Sequence, residues 1–394
     1  MEERMNAPGA IESPVLFEER TANNSKRIGI ATLNAPKTLN GLSLDMALLL
    51  TERFDAWAAD EDIAVVVLQG AGEKAFCAGG DLHGLYRSMR DYRESGASDV
   101  SSNAYAAQFF EVEYRLDHRI HTYPKPVLCW GHGIVMGGGI GLMSGASHRV
   151  VTERSKLAFP EITVGLYPDV GGSGLLSRLP DHGGLFLGLT GALLNASDAI
   201  AAKLADWQLA EADRDTVYAE LLSTAWKDDE ADNATLLADL LGGRAVAGEP
   251  GPFQRHAGHI ATLCSGNDLD TIIATIRADT SDDPWLKTAR DTLAAGSPGS
   301  ARLAFELQQR ARQLPLADVF RMEYIVSLHC AARGDFQEGI RALLIDKDRS
   351  PHWNPSTQKE ADARWSEGFF NAPWADGTHP LADLTDTVTQ RTFA

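Results

Sequence analysis

The chain has 394 residues, 44% of them hydrophobic, and carries a net charge of −18. That is enough apolar material for one large domain or two to three smaller ones, and the acidic balance argues against a nucleic-acid surface, which needs a concentrated basic face. Cys77, Cys129, Cys264 and Cys330 are widely spaced and match neither C-x-x-C nor a metal-ligand spacing, so a reducing compartment and no metal are expected.

No apolar run reaches the roughly 18 residues that a membrane helix needs, so no membrane partner is expected. The N-terminal MEERMNAPGAIESPVLFEER is acidic and lacks an apolar h-region, which leads to the expectation of a cytoplasmic protein. In chain order, an apolar strand over 28–33 is followed by a helix over 43–59 and a buried-strand pattern over 63–68. Next comes the glycine turn Ala78-Gly79-Gly80-Asp81, where Asp81 is placed to cap the helix that opens at Leu82. A helix over 104–122 puts Phe109, Leu116 and Ile120 on one stripe, and Glu113 falls inside it, one turn after Phe109. A carboxyl pointing inward is either paired with Arg or Lys or serves a site.

A strand over 127–130 then leads into a helix opened by glycines near Gly137, and a strand over 149–152 follows. Downstream, Glu161 after Pro160 and Asp169 after Pro168 are separated by seven mostly apolar residues. Either carboxylate is open to acid, base or nucleophile work, and either could instead be an ordinary residue of a helix start. Two glycine turns at two strand ends could supply the paired N–H donors of an oxyanion hole. No G-x-G-x-x-G, G-x-x-x-x-G-K-[ST] or G-x-S-x-G motif is present, which argues against dinucleotide, nucleoside triphosphate and serine-elbow chemistry. Residues 210–300 hold helical patches and no chemical motif, and helices over 303–313, 317–333 and 335–345 close the pattern before a Trp- and Pro-containing tail. Alternating strands and helices make the fold class α/β, and periodicity alone points to a doubly wound sheet.

The segments FCAGGDL, KPVLCWGHGIVMGGGIGL and FPEITVGLYPDVGG, with FRMEYIVSLHCAARGDFQEGIRALLIDKDRSPHW further on, resemble the crotonase (enoyl-CoA hydratase/isomerase) superfamily. Within it they are most similar to the 3-hydroxyisobutyryl-CoA hydrolases. The resemblance implies a crotonase-like spiral of repeated β-β-α units with a C-terminal helical extension. It implies an N-terminal arm over 1–24, a catalytic core over 25–225 and a mainly helical region over 226–394 that covers the site or an interface. It maps the oxyanion-hole donors onto Gly80 and Gly138 and retains one hydratase glutamate as Glu161. The second hydratase glutamate is absent, since that position is Gly141, and Asp169 stands where hydratases carry a small residue.

That departure implies hydrolysis of a short 3-hydroxyacyl-CoA thioester, with 3-hydroxyisobutyryl-CoA of valine breakdown leading. Glu161 would be nucleophile or general base, Asp169 would orient or activate water, and Glu113 would meet the hydroxyl end of the acyl group. Gly79, Asp81 and Lys37, the last in the loop 34–42, are further substrate-binding positions. The runners-up are an enoyl-CoA hydratase or isomerase and a catalytically silent CoA-binding protein. No cofactor is implied, because coenzyme A belongs to the substrate, and relatives that form trimers leave a homo-oligomer open.

Overall fold

The computed structural model describes residues 13–375 and 377–386. The chain enters as an antiparallel pair, β1 (Val15–Thr21) with β2 (Arg27–Leu33), Val15 opposite Leu33. Residues from the stretch expected as an arm therefore form the edge strand of the main sheet, while residues 1–12 of that stretch lie outside the described residues. Helix α1 (Leu44–Ala59) follows, its N-terminus closed by Ser43, which accepts from Met46 N–H. Its buried face of Met46, Leu50, Phe54 and Trp57 recurs at three- and four-residue steps, the spacing that lays one helical stripe on a core.

Thereafter the chain repeats one plan. β3 (Ile63–Gly70) joins the large sheet, β4 (Ala75–Cys77) joins a second sheet, and helices α2 (Leu82–Glu94) and α3 (Ala104–His121) return the chain. β5 (Val127–Gly131), β6 (Ile134–Met136) and α4 (Gly138–Gly145) make the next turn. β7 (His148–Thr152) and β8 (Lys156–Ala158) begin the third, followed by a 3-10 turn at Glu161–Thr163 and α5 (Gly172–Ser177). After α6 (Gly183–Thr190) and α7 (Ala196–Ala201), β9 (Trp207–Leu209) completes the large sheet.

The strand orders are β1-β2-β3-β5-β7-β9 and β4-β6-β8, and every pair beyond β1/β2 is parallel. This is the β-β-α spiral implied by the family resemblance, not the doubly wound sheet suggested by periodicity. β3 and β5 are buried almost throughout, as parallel strands covered on both faces must be. One face carries Val66, Leu68 and Cys129 against α1; the other carries Val65, Val67 and Leu128 against Trp226, Leu237 and Leu241.

The α-helices after β9 are α8 (Arg214–Ser223), α9 (Glu230–Gly242), α10 (Pro252–Arg255), α11 (Ala257–Leu263), α12 (Leu269–Ala278), α13 (Pro284–Ala295), α14 (Pro298–Ala311), α15 (Leu316–Arg333), α16 (Asp335–Ile340) and α17 (Ala363–Glu367), with irregular chain over 346–362 and beyond 367. α14 begins earlier than its periodic apolar pattern because Ser297 caps it and Pro298 suits the first turn. The helix expected over 335–345 stays α only to Ile340 and widens into a π turn at Arg341–Ile345. A third core joins α3, α15 and α16 around Tyr114, Phe320 and Phe336.

Candidate active site

The short sheet explains how distant motifs meet. Because β4, β6 and β8 are parallel neighbours, their C-terminal ends lie side by side, and each end carries one piece of the site. β4 runs out into Gly79-Gly80, β6 into Gly137-Gly138 and β8 into Pro160-Glu161. Gly79 at φ 112° and Gly137 at φ 49° take backbone conformations that favour glycine, turning each strand end back toward its neighbour. The Gly79 carbonyl accepts from Leu42 N–H at 2.8 Å, and Asp81 N–H donates to Leu42 carbonyl at 2.8 Å, which fixes the first turn on both sides.

The two turns approach closely: a methyl placed on Gly138 would lie 3.5 Å from Gly80 N. Among the described residues no carbonyl accepts from Gly80 N–H or Gly138 N–H. Gly138 also opens α4, so the positive end of that helix adds to its donor. Two free backbone donors from different strand ends can therefore serve one oxygen that develops negative charge.

These turns face a cavity of about 780 Å³. Lys37, Gly79, Gly80, Asp81, Glu113, Gly138, Glu161 and Asp169 all line it, so every position singled out from the sequence is brought together. Asp81 also caps α2, accepting from His83 N–H and Gly84 N–H at 3.1 Å, which is the structural role its position suggested. Phe109, Phe110, Val164, Leu166, Phe336 and Leu344 supply apolar wall, and Lys37 is the one Lys or Arg lining it among the described residues. Lys74 and Lys347, which like Lys37 lie in or near the family-like segments, are not among the lining residues.

The carboxyls are set apart by their surroundings. Glu113 is 3% exposed, and the charge that acts on it is that of Asp169, not a cation, so the ion pair open to an inward glutamate is not what the structure shows here. Its Oε1 would lie 2.5 Å from a methyl on Gly138, and burial first, then the Asp169 charge, pushes its pKa well up. Neither oxygen of Glu161 has a hydrogen-bond partner among the described residues, and burial followed by Asp169 likewise holds its pKa well above the usual range. Asp169 does not cap α5, whose N-cap is Gly171. Instead its Oδ2 accepts from Tyr114 hydroxyl at 2.8 Å. Burial raises Asp169 to about 6, and the Tyr114 hydrogen bond opposes that rise. Burial thus disfavours the charge on all three carboxyls, and at Asp169 the Tyr114 hydrogen bond opposes it; carboxyls in unlike surroundings can take different roles.

Several residues of this site lay outside the sequence expectations. Glu323 on α15 accepts from Gly171 N–H at 2.7 Å and Ser173 N–H at 3.0 Å, tying down the loop that carries Asp169. Its four-residue spacing from Ser327, on an otherwise apolar helix face, was the available signal. Asp117, one turn beyond Glu113, is fully buried, and neither of its carboxyl oxygens has a partner among the described residues. A methyl on Gly141 would lie 2.7 Å from Asp117 Oδ2 and 2.7 Å from Val170 Cβ. The place of the second hydratase glutamate is therefore filled, and a side chain there would collide.

Residues 28–370 match the sequence profile described as enoyl-CoA hydratase/isomerase. The chain is 37% identical over 362 residues to the mitochondrial 3-hydroxyisobutyryl-CoA hydrolase of Danio rerio, a match spanning 91% of this chain and 90% of that protein. It is 35% identical over 346 residues to the protein of the same name from Xenopus tropicalis, spanning 87% and 86%. Among solved structures, a carnitinyl-CoA dehydratase from Mycobacterium thermoresistibile is similar with a TM-score of 0.80 at 34% identity, over 93% of this chain and 98% of that one.

Proposed function

The chain belongs to the enoyl-CoA hydratase/isomerase family, and from that premise we propose that it is an acyl-CoA thioester hydrolase acting on a short 3-hydroxyacyl-CoA, with 3-hydroxyisobutyryl-CoA of valine breakdown as the leading substrate. The observation that carries this reading is the pairing of Glu161 with Asp169 beside two unpartnered N–H groups in one cavity, while Asp117 and Val170 fill the space beside Gly141 that a second hydratase glutamate would need. The hydrolase names of the relatives support the same reading.

The thioester oxygen is held by Gly80 and Gly138 N–H, which strengthen their grip as the carbon becomes tetrahedral; such a donor is typically worth on the order of 3 kcal/mol. A Glu161 oxygen bonds to that carbon and the C–S bond breaks. Burial favours the neutral form of Glu161, and in this step its proton ends on the departing sulfur, giving free CoA thiol and a mixed anhydride. Asp169 then takes a proton from water as the water oxygen attacks the anhydride. The hydroxy acid leaves, and the Asp169 proton returns to Glu161. Glu113, beside Gly138, receives the substrate hydroxyl. Lys37 at the rim is the local cation for the anionic carrier, and Gly79 and Asp81 shape the turn against which the thioester lies.

The named relatives are mitochondrial proteins. Among the described residues no helix is long and apolar enough to cross a membrane. The activity is tested by following thiol release from 3-hydroxyisobutyryl-CoA and hydration of crotonyl-CoA side by side. Thiol release with negligible hydration is expected; hydration without thiol would make the chain a hydratase, and tight binding without either reaction would make it a silent binder. Single-turnover trapping of an acyl group on Glu161 separates the nucleophile from a general base, for which no acyl enzyme forms.

A further inference from the structure

Behind Asp169 runs a chain of buried hydroxyls that the proposed mechanism does not use. Tyr114 hydroxyl donates to Asp169 Oδ2 at 2.8 Å and lies 2.7 Å from Ser327 Oγ. Ser327 Oγ lies 2.8 Å from Tyr167 hydroxyl, which donates to the Glu323 carbonyl at 2.7 Å. Tyr114, Tyr167 and Ser327 are all completely buried, so water cannot substitute for any of these contacts.

We propose that Tyr114, oriented by Ser327 and Tyr167, is a positioning residue that fixes the Asp169 carboxylate through Oδ2 and adapts to both of its charge states. Proton counting supports this. The three hydroxyl hydrogens serve four close contacts, so one contact lacks a hydrogen when Asp169 is ionised. When Asp169 takes a proton, it can donate to Tyr114, Tyr114 to Ser327, Ser327 to Tyr167 and Tyr167 to the carbonyl, and every contact is filled. The chain thus donates to the charged acid and accepts from the neutral one without moving a heavy atom.

The groups facing Asp169 make this donor important. Glu113 and Asp117 act from α3, Glu161 from the 3-10 turn, Tyr167 from the following loop, and Glu323 and Cys330 from α15. None of these is a cation, and all but Tyr167 and Cys330 are carboxyls. Tyr114 is then the side-chain donor that favours the Asp169 charge against burial.

This inference rests on the hydrolase reading, and its test separates the two. In Tyr114→Phe, kcat for thiol release at pH 7 should fall about ten- to a hundredfold with KM within about twofold, and the acid limb of the kcat profile should move up by about one pH unit. Ser327→Ala, which leaves the Tyr114 contact in place, should shift the same limb less and serves if Tyr114→Phe does not fold. A purely structural role would lower melting temperature and leave the limb where it is. In parallel, carboxyl 13C NMR of aspartate-labelled protein, with Asp169→Asn assigning the signal, should show Asp169 titrating at higher pH in Tyr114→Phe than in wild type. That readout decides the inference even if wild type releases no thiol, an outcome that would sink only the hydrolase reading. Unchanged titration and an unmoved acid limb in both variants would overturn it.

Discussion

At the scale of single residues, the oxyanion site is defined by what glycine leaves out. A β-carbon on Gly138 would meet Glu113 Oε1 at 2.5 Å, inside contact distance, and Gly80 N at an ordinary 3.5 Å. Gly138→Ala should therefore lower kcat for thiol release by about tenfold or more, because the Glu113 carboxyl must leave its place beside the Gly138 donor. Steady-state kinetics with a melting curve check this: the melting temperature should stay near that of wild type, and a kcat within a few-fold of wild type would contradict the role. Glu113 was legible in the sequence because helical periodicity turns it inward with Phe109 and Leu116. The roles proposed for Glu161 and Asp169 come only from the family resemblance, since a carboxylate after proline reads equally well as a helix start. Tyr114 was not legible, because its value depends on Ser327, which is 213 positions away in the chain.

Among elements, α3 carries an unusual load. Glu113 and Asp117 are successive inward acids on one helix face, and Asp117 is pressed against Gly141 of α4 without a hydrogen-bond partner among the described residues. Burial first, then Glu113, raises the Asp117 pKa well above the ordinary carboxylate range. In the window between those two values the folded chain keeps a proton that the unfolded chain has lost, so stability falls as pH rises through it. Asp117→Asn should remove that loss. Its unfolding free energy should exceed that of wild type by on the order of 1 kcal/mol at pH 8, with the gap closing near pH 4. Denaturant titrations across pH measure this, and a constant gap would contradict it. The fold's second sheet was the feature that periodicity missed, because β4, β6 and β8 have three residues each and a two-residue period needs more length to show. The same brevity lets three motifs sit side by side at one sheet end.

For the whole molecule, the helical C-terminal region is part of the cavity wall rather than an appendage beside it. Phe336 of α16 and Leu343 and Leu344 of the π turn line the cavity whose floor is made by the turns that follow β4, β6 and β8. Arg341 anchors that turn to Glu338, Asp346 and Asp348. Leu343 is 39% exposed and stands at the rim, where it can cover an apolar part of a bound thioester. Leu343→Ala should raise KM about three- to tenfold with kcat within about twofold, the signature of uniform binding lost by removing an apolar contact. A fall in kcat with KM unchanged would instead place this turn in the chemical step. That 226–394 covers the site or an interface was implied only by the family resemblance; the helical periodicity itself does not show what those helices pack against.

The central claim is that Glu161 and Asp169 carry out hydrolysis in front of the Gly80 and Gly138 donors. Its most direct test is thiol release from 3-hydroxyisobutyryl-CoA by wild type, Glu161→Gln and Asp169→Asn, with substrate binding measured alongside. The account predicts that wild type releases thiol, that both variants bind the thioester and that each loses at least about 10²-fold in kcat. Release by either variant at close to the wild-type rate would contradict the account.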